Sequence, residues 1–238
     1  MRSRLLYLPM IVVFAAAACS TAPDRATTIG AQPAAATHAQ EPVSQAPKPK
    51  GAGYQLTSAQ AKAAMLIVAD FPTGWASDKS LEPSDGTAKI EPVACQKMDD
   101  EMLTVGKGAK VKEKATFSKD LSVLEMQVSS SDADDRIDQI KNLGDMLAKC
   151  AHYTSTGKAG KIESTLSPLS FPNLGNQTLA VRVNENFEGM DVVSDFVFVA
   201  TGHNTVSFIA AGFEPIPGAE LEKVARTGMA KLAVAAKN

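Results

Sequence analysis

Three cysteines, three histidines and a handful of aromatic side chains are the residues of this chain whose chemistry reaches beyond packing. His38, His152 and His203 are far apart and show no zinc-ligand spacing, so no metal is expected. The acidic run Asp132–Asp138 lacks the glycine and the terminal glutamate of a calcium loop, and it reads instead as the start of a helix. No nucleophile elbow, phosphate loop or dinucleotide fingerprint is present. Gly106-Lys107-Gly108 is a loop with a lysine and nothing more specific. A serine or cysteine nucleophile needs a neighbouring base, and no Ser/His/Asp or Cys/His set clusters here. No catalytic residue and no cofactor are assigned, and the expectation is a protein that is not an enzyme.

Cys19 is the most informative residue. Arg2 and Arg4 precede an apolar run from Leu5 to Ala18, and Ala16-Ala17-Ala18 stand directly before the cysteine. A basic start, a short apolar core and small residues at the cut site describe an export signal, too short for a stable membrane span. A cysteine at the first mature position resembles the lipobox of bacterial lipoproteins. That resemblance implies cleavage before Cys19 and a diacylglyceryl group, with palmitate-type chains, on its sulfur. The alternative is an ordinary secretory signal followed by an incidental cysteine. Two acyl chains at about 0.8 kcal/mol per buried methylene hold a protein on a bilayer where one would not. The expected location is therefore the extracytoplasmic face of the cell membrane.

With 45% hydrophobic and 21% charged residues the chain has ordinary globular content. The formal charge of −2 becomes −4 when Arg2 and Arg4 leave with residues 1–18. A weakly acidic surface offers no electrostatic case for nucleic acid. If Cys19 carries lipid, Cys95 and Cys150 remain as an even pair in an exported protein, the usual setting for a disulfide; two buried free thiols are the alternative.

Apolar ligand chemistry rests on aromatic residues. Phe187, Phe196, Phe198, Phe208 and Phe213 either fill a core or line a cavity for a lipid-like ligand. Trp75 follows Asp70-Phe71-Pro72-Thr73-Gly74 and either plugs the domain or stacks on a ligand. Trp75, Phe196, Phe198 and Phe208 are the candidate ligand-binding set. Lys110, Lys112 and Lys114, with Lys107 and Lys119 nearby, form either a solvated strand face or a surface for anionic headgroups or wall polymer.

The elements that must position these residues begin after a tether. Residues 19–53 are rich in Ala, Pro, Thr, Gln and Ser and cannot offset their ordering entropy. Such a coil spans on the order of 30 Å. Residues 54–238 form the expected domain. A helix capped by Thr57 or Ser58 runs over Ala59–Ala69 and stops at Pro72 and Gly74; a short one spans Val93–Thr104. Period-two alternation predicts a hairpin from Lys110–Ser118 and Leu121–Ser129. Residues 132–150, capped by Ser130 or Ser131, place Ile137, Ile140, Gly144, Leu147 and Cys150 on one apolar face, toward the helix carrying Cys95. Strands follow at Lys161–Ser167, Gln177–Phe187, Met190–Ala200 and Thr205–Phe213, the last two apolar on both faces and hence central. A closing helix runs from Pro217 to Ala236. The fold class is α+β: a mostly antiparallel sheet flanked by α-helices.

The order of lipobox, Pro-rich tether, Asp70-Phe71-Pro72-Thr73-Gly74-Trp75, Cys95, Cys150 and a strand pair around Gly202-His203-Asn204-Thr205-Val206 resembles actinobacterial cell-envelope lipoproteins. Over residues 54–236 it is similar to the extracellular sensor domains of mycobacterial receptor serine/threonine kinases. That family commonly has two disulfides, and this chain has cysteines for one beyond Cys19. The resemblance implies an antiparallel sheet with helices and a binding groove rather than an active site. It implies a membrane-anchored ligand-binding or sensor module, whose ligand is a lipid or a cell-wall component and whose protein partner is unknown. The alternatives are a carrier of lipid or glycolipid in an apolar cavity and an envelope hydrolase with an unrecognised site.

Overall fold

Two segments alternate and two others are apolar on both faces, and the sheet follows from that difference. The computed structural model describes residues 53–78, 88–132, 135–157 and 160–237. These lie within the compact unit Ser44–Asn238. Cys19, His38, the signal segment 1–18 and nearly all of the tether fall outside the described residues. Among the described residues nine strands form one fully antiparallel sheet: β1 (Ala76–Asp78), β2 (Lys89–Glu91), β3 (Val111–Lys119), β4 (Ser122–Ser130), β5 (His152–Gly157), β6 (Gly160–Pro168), β7 (Gln177–Phe187), β8 (Met190–Thr201) and β9 (Asn204–Gly212). Their order is β1-β3-β4-β9-β8-β7-β6-β5-β2. The expected α+β class is found. So is the central placement of β8 and β9, because only strands covered on both faces hide apolar side chains at successive positions.

Four helices cover the sheet unequally: α1 (Ser58–Ala63), α2 (Gln96–Leu103), α3 (Arg136–Leu147) and α4 (Gly218–Ala235). On one face α1 and α4 pack over β3, β4, β9 and β8 and bury Phe117, Leu124, Met126, Val197, Val199, Val206 and Phe208. On the other face α2 and α3 pack over β8, β7, β6 and β5 and bury Phe198, Ala200, Val181, Val183, Leu166 and Tyr153. Each helical pair therefore covers one half of the sheet, on opposite faces. β8 serves both cores with fully buried side chains, Val197 and Val199 turned one way and Phe198 and Ala200 the other, and β7 adds Ala180 to the first and Val181 and Val183 to the second. Gly228 lets α4 approach closely: a Cβ there would stand 2.8 Å from the fully buried Phe208 ring.

The structure moves several expected boundaries. The first helix ends at Ala63 rather than Ala69. Asp70 accepts a bond from the Ile67 N–H at 2.8 Å, a local side-chain bond that competes with the helix and starts a 3-10 turn at Val68–Asp70 instead. Thr57 caps α1 as expected, in a reciprocal box with Gln60. The third helix starts at Arg136, not residue 132, and Asp135 rather than Ser130 or Ser131 precedes it. Ser130 ends β4 and accepts from the Leu56 N–H at 2.9 Å. Residues 152–157, to which the sequence pattern assigned no element, form β5, because the buried Tyr153 gives them a place against α2. The short edge strands β1 and β2 were not anticipated; three residues carry too little periodicity to register, and shortness itself blunts a sheet edge.

Candidate functional site

The disulfide sets the frame. Cys95 and Cys150 are joined, with Cα atoms 5.6 Å apart. Cys95 immediately precedes α2 and Cys150 lies three residues beyond α3, and both are buried. The bond thus ties the start of one helix of this layer to the end of the other. The pairing expected from cysteine number is the one formed.

Between the two helices lies a groove of about 610 Å³. Lys97 and Glu101 from α2, Lys107 from the following loop, and Asp135, Arg136, Asp138 and Asn142 at the start and along one side of α3 line it. Its volume suits a small ligand. Arg136 is held in place by its neighbours: Nη1 donates to Gln139 Oε1 at 3.0 Å, and Nη2 lies 2.6 Å from Asp135 Oδ1. Only 11% of the Arg136 side chain is exposed. Asp135 makes no side-chain cap to α3, leaving the first-turn N–H groups without that acceptor. A helix start with its positive partial charge, flanked by Lys97 and Lys107, favours an anionic group; Glu101 and Asp138 favour a cationic one. The groove thus presents charges of both signs.

Beneath α2 sit carboxylates that burial disfavours. Tyr153, Ser164 and Glu185 are successive partners across β5, β6 and β7. Burial raises the Glu185 pKa above the ordinary carboxylate value, and the nearby Asp99 of α2 raises it further. Asp99 is raised too, by burial first and then by Asp100. Burial pushes the Tyr153 hydroxyl up to about 12, with Asp99 adding to the rise and Ser164 opposing it. An acid whose folded pKa exceeds its unfolded one binds more protons when folded, so the stability it permits is fullest at low pH and is lost as pH rises through the folded value. From Glu185 and Asp99 the domain gains stability on mild acidification from neutrality. Glu185→Gln is expected to stabilise the domain at pH 7 by about 0.5–2 kcal/mol, the usual range for relieving an unfavourable charge. Urea midpoints at pH 7 and pH 5 measure it, and the variant's rise between the two should be smaller than that of the parent.

The four aromatic candidates do not converge. Trp75 is buried in the core under α4, donates from Nε1 to Glu220 Oε1 at 2.8 Å, and lies 5.1 Å from the Phe71 ring, which in turn is 4.4 Å from Phe117. That is the plug geometry. Phe208 belongs to the same core and is fully buried. Phe198 is fully buried in the other core, and Phe196, stacked on it at 6.1 Å, is the one of the four that keeps partial exposure. The groove residues Lys97, Glu101 and Arg136 escaped the sequence reading. Lys97 and Glu101, four residues apart on α2, read as an ordinary helix-surface pair, and only the packing of α2 against α3 brings Arg136 to them. Of the expected lysine face, Lys110 pairs with Asp132 and Lys114 with Glu125 at 3.0 Å. His152 lies in β5 beside Thr165, and His203 is in the β8–β9 turn against the Ser131 carbonyl.

Among the described residues no group of His, Cys, Asp or Glu is placed to hold a metal ion, and no helix is long and apolar enough to cross a membrane. No family model matches the sequence, and no curated protein does. Solved structures do. The extracellular domain of PknH from Mycobacterium tuberculosis is similar over 78% of this chain and 98% of that one, at 13% identity and a TM-score of 0.56. A putative uncharacterized protein from Mycobacterium smegmatis, the Rv0999 ortholog, aligns over 73% of this chain and 96% of its own at 11% identity and a TM-score of 0.42. The fold likeness to a mycobacterial kinase extracellular domain is thus present, as the order of sequence features led one to expect.

Proposed function

We propose that this chain is a lipid-anchored, extracytoplasmic, non-enzymatic sensor or ligand-binding module of the cell envelope, and that it binds in the groove between α2 and α3. The groove itself carries the reading: a ligand-sized space lined by Lys97, Lys107 and Arg136 and by Glu101 and Asp138, on a helical layer braced by the Cys95–Cys150 bond. A disulfide suits an oxidising compartment, which supports the exported location that the sequence start implies. The fold shared with a kinase extracellular domain supports a sensing rather than a catalytic role. The ligand class is a small molecule bearing both carboxylate and ammonium groups, and soluble peptide-bearing fragments of the cell wall have that chemistry.

The binding test is calorimetric titration of the intact protein with such fragments. Arg136→Gln and Lys97→Glu should each weaken binding about tenfold, roughly the worth of one charge-assisted bond. Equal affinity of both variants and the parent would remove the groove from the reading. The anchor has its own test. Cys19→Ser should abolish detergent-phase partitioning and release the protein from the membrane; unchanged partitioning would end the lipid assignment.

A further inference from the structure

The two ends of the sheet differ in a way that neither core accounts for. At one end the chain enters the domain: the Gly53 carbonyl accepts from the His203 N–H at 3.1 Å, and Asn204 Nδ2 donates to the Tyr54 carbonyl at 2.7 Å, both at the β8–β9 turn. At the opposite end, formed by the β3–β4 turn, the β7–β8 turn and the residue after β9, large apolar side chains stand in solvent. Leu121 is 72% exposed, Phe213 53% and Met190 43%. Extending the Val123–Ala211 pairing two residues outward sets Leu121 opposite Phe213 on the same face. Extending the Val193–Gly212 pairing by one sets Phe213 beside Val192, with Met190 two residues further on that face. The backbones are close here, since a Cβ on Gly212 would stand 3.1 Å from the Leu121 carbonyl. Leu121 in the β3–β4 turn, Phe213 just past β9 and Met190 at the start of β8 thus fall in one apolar strip on this face.

Acids rim the strip. Asp120, Glu188, Asp191 and Glu214 all stand exposed around it, against Lys119, whose stem lies along Gly74. Asp120 and Glu188 have φ of 53° and 52°, and among the described residues they are the non-glycine residues in the left-handed region. Aspartate tolerates such a turn position, as at Asp120, whereas glycine or asparagine would occupy the place of Glu188 with less strain, so the β7–β8 tip holds a carboxylate that local geometry does not ask for.

We infer that this end of the sheet is a docking surface for a protein partner that presents an apolar pocket rimmed by lysine or arginine. Charge complementarity selects the occupant. An acidic rim is repelled by the anionic surface of a bilayer, and by a second copy of itself. The site is separate from the α2–α3 groove, and its failure leaves the groove reading intact.

The experiment places a photo-crosslinking amino acid at Leu121 in the full-length protein in its own envelope, identifies the crosslinked species, and purifies it for direct titration. The expected result is a protein whose affinity falls at least tenfold with Leu121→Ser plus Phe213→Ser, and again with Asp120→Lys plus Glu188→Lys, and weakens with added salt. All four positions are exposed, and unchanged melting curves confirm that the variants fold. Crosslinks only to lipid or to a second copy overturn the inference. So does unaltered affinity in both double variants, or binding of the parent to phosphatidylglycerol vesicles that Leu121→Ser plus Phe213→Ser abolishes.

Discussion

Replacing Cys95 and Cys150 together by serine should cost about 4 kcal/mol of stability, the chain-entropy worth of closing a loop of this length. The two cysteines are 55 residues apart in sequence, and the loop they close contains α2, β3, β4 and α3. For a domain of this size the loss corresponds to a fall in Tm of roughly 10 °C. The effect should be uneven. α1 and α4 pack on the other face and share no disulfide with this layer, whereas α2 is only eight residues long and is clipped at its first turn. Hydrogen exchange should therefore accelerate most in α2 and at the end of α3, and least in β8 and β9. A uniform acceleration, or a Tm within two degrees of the parent, would show that the bond adds little to packing that is already sufficient. The same variant bears on the groove, because its lining comes from the two helices that the bond joins.

The second large effect concerns Arg182 and Asp195. They are direct partners across β7 and β8, and the guanidinium meets the carboxylate with two bonds, Nε to Oδ1 at 2.7 Å and Nη2 to Oδ2 at 2.8 Å. Asp195 is 1% exposed, and Ala210 and Leu124 continue its row into the α1–α4 core. The arginine side chain keeps 28% exposure, at the line where helical cover ends and the open half of the face begins. The pairing also raises the proton affinity of the guanidinium, so its charge is not in question. Arg182→Leu should cost about 3–5 kcal/mol, because it leaves a carboxylate sealed from water without a counter-charge. The double variant Arg182→Leu plus Asp195→Leu should recover most of that loss, since an apolar pair of similar volume carries no desolvation penalty. Urea unfolding of the single and double variants gives the coupling directly. A double variant as unstable as Arg182→Leu alone would mean that the pair contributes shape rather than charge.

The elements with long periods were legible before any coordinates. α4 shows Leu221, Val224, Ala225, Gly228 and Leu232 at helical spacing, and all five are buried. β3 and β4 alternate, and Phe117, Leu124, Met126 and Val128 are the side that is buried. β8 and β9 are apolar at successive positions and stand at the middle of the sheet. Where the period is short or overridden, sequence pattern and structure differ. β1 and β2 have three residues each, and α1 gives way to a side-chain bond from Asp70 that no periodicity announces. The aromatic residues show a deeper limit. Phe196 and Phe198 share one face, and Phe208 and Trp75 lie in the core on the other. Alternation tells that side chains divide between two faces, but it does not tell which helix covers which half of a nine-stranded sheet.

What the chain's residues determined unaided was the class of structure, the long helices and strands, the even cysteine pair and the expectation of export. These follow from local rules: period, turn chemistry and the redox use of thiols act over a few residues, or depend only on residue type. What tertiary structure alone decided was the offset of the two helical layers, the strand order that sets β1 and β2 at opposite edges, the buried Arg182–Asp195 pair and the meeting of Lys97, Glu101 and Arg136 in one groove. Each of these joins residues far apart in sequence, and their proximity is produced by burying two apolar helix layers on one sheet, a global free-energy balance that no short window of sequence contains.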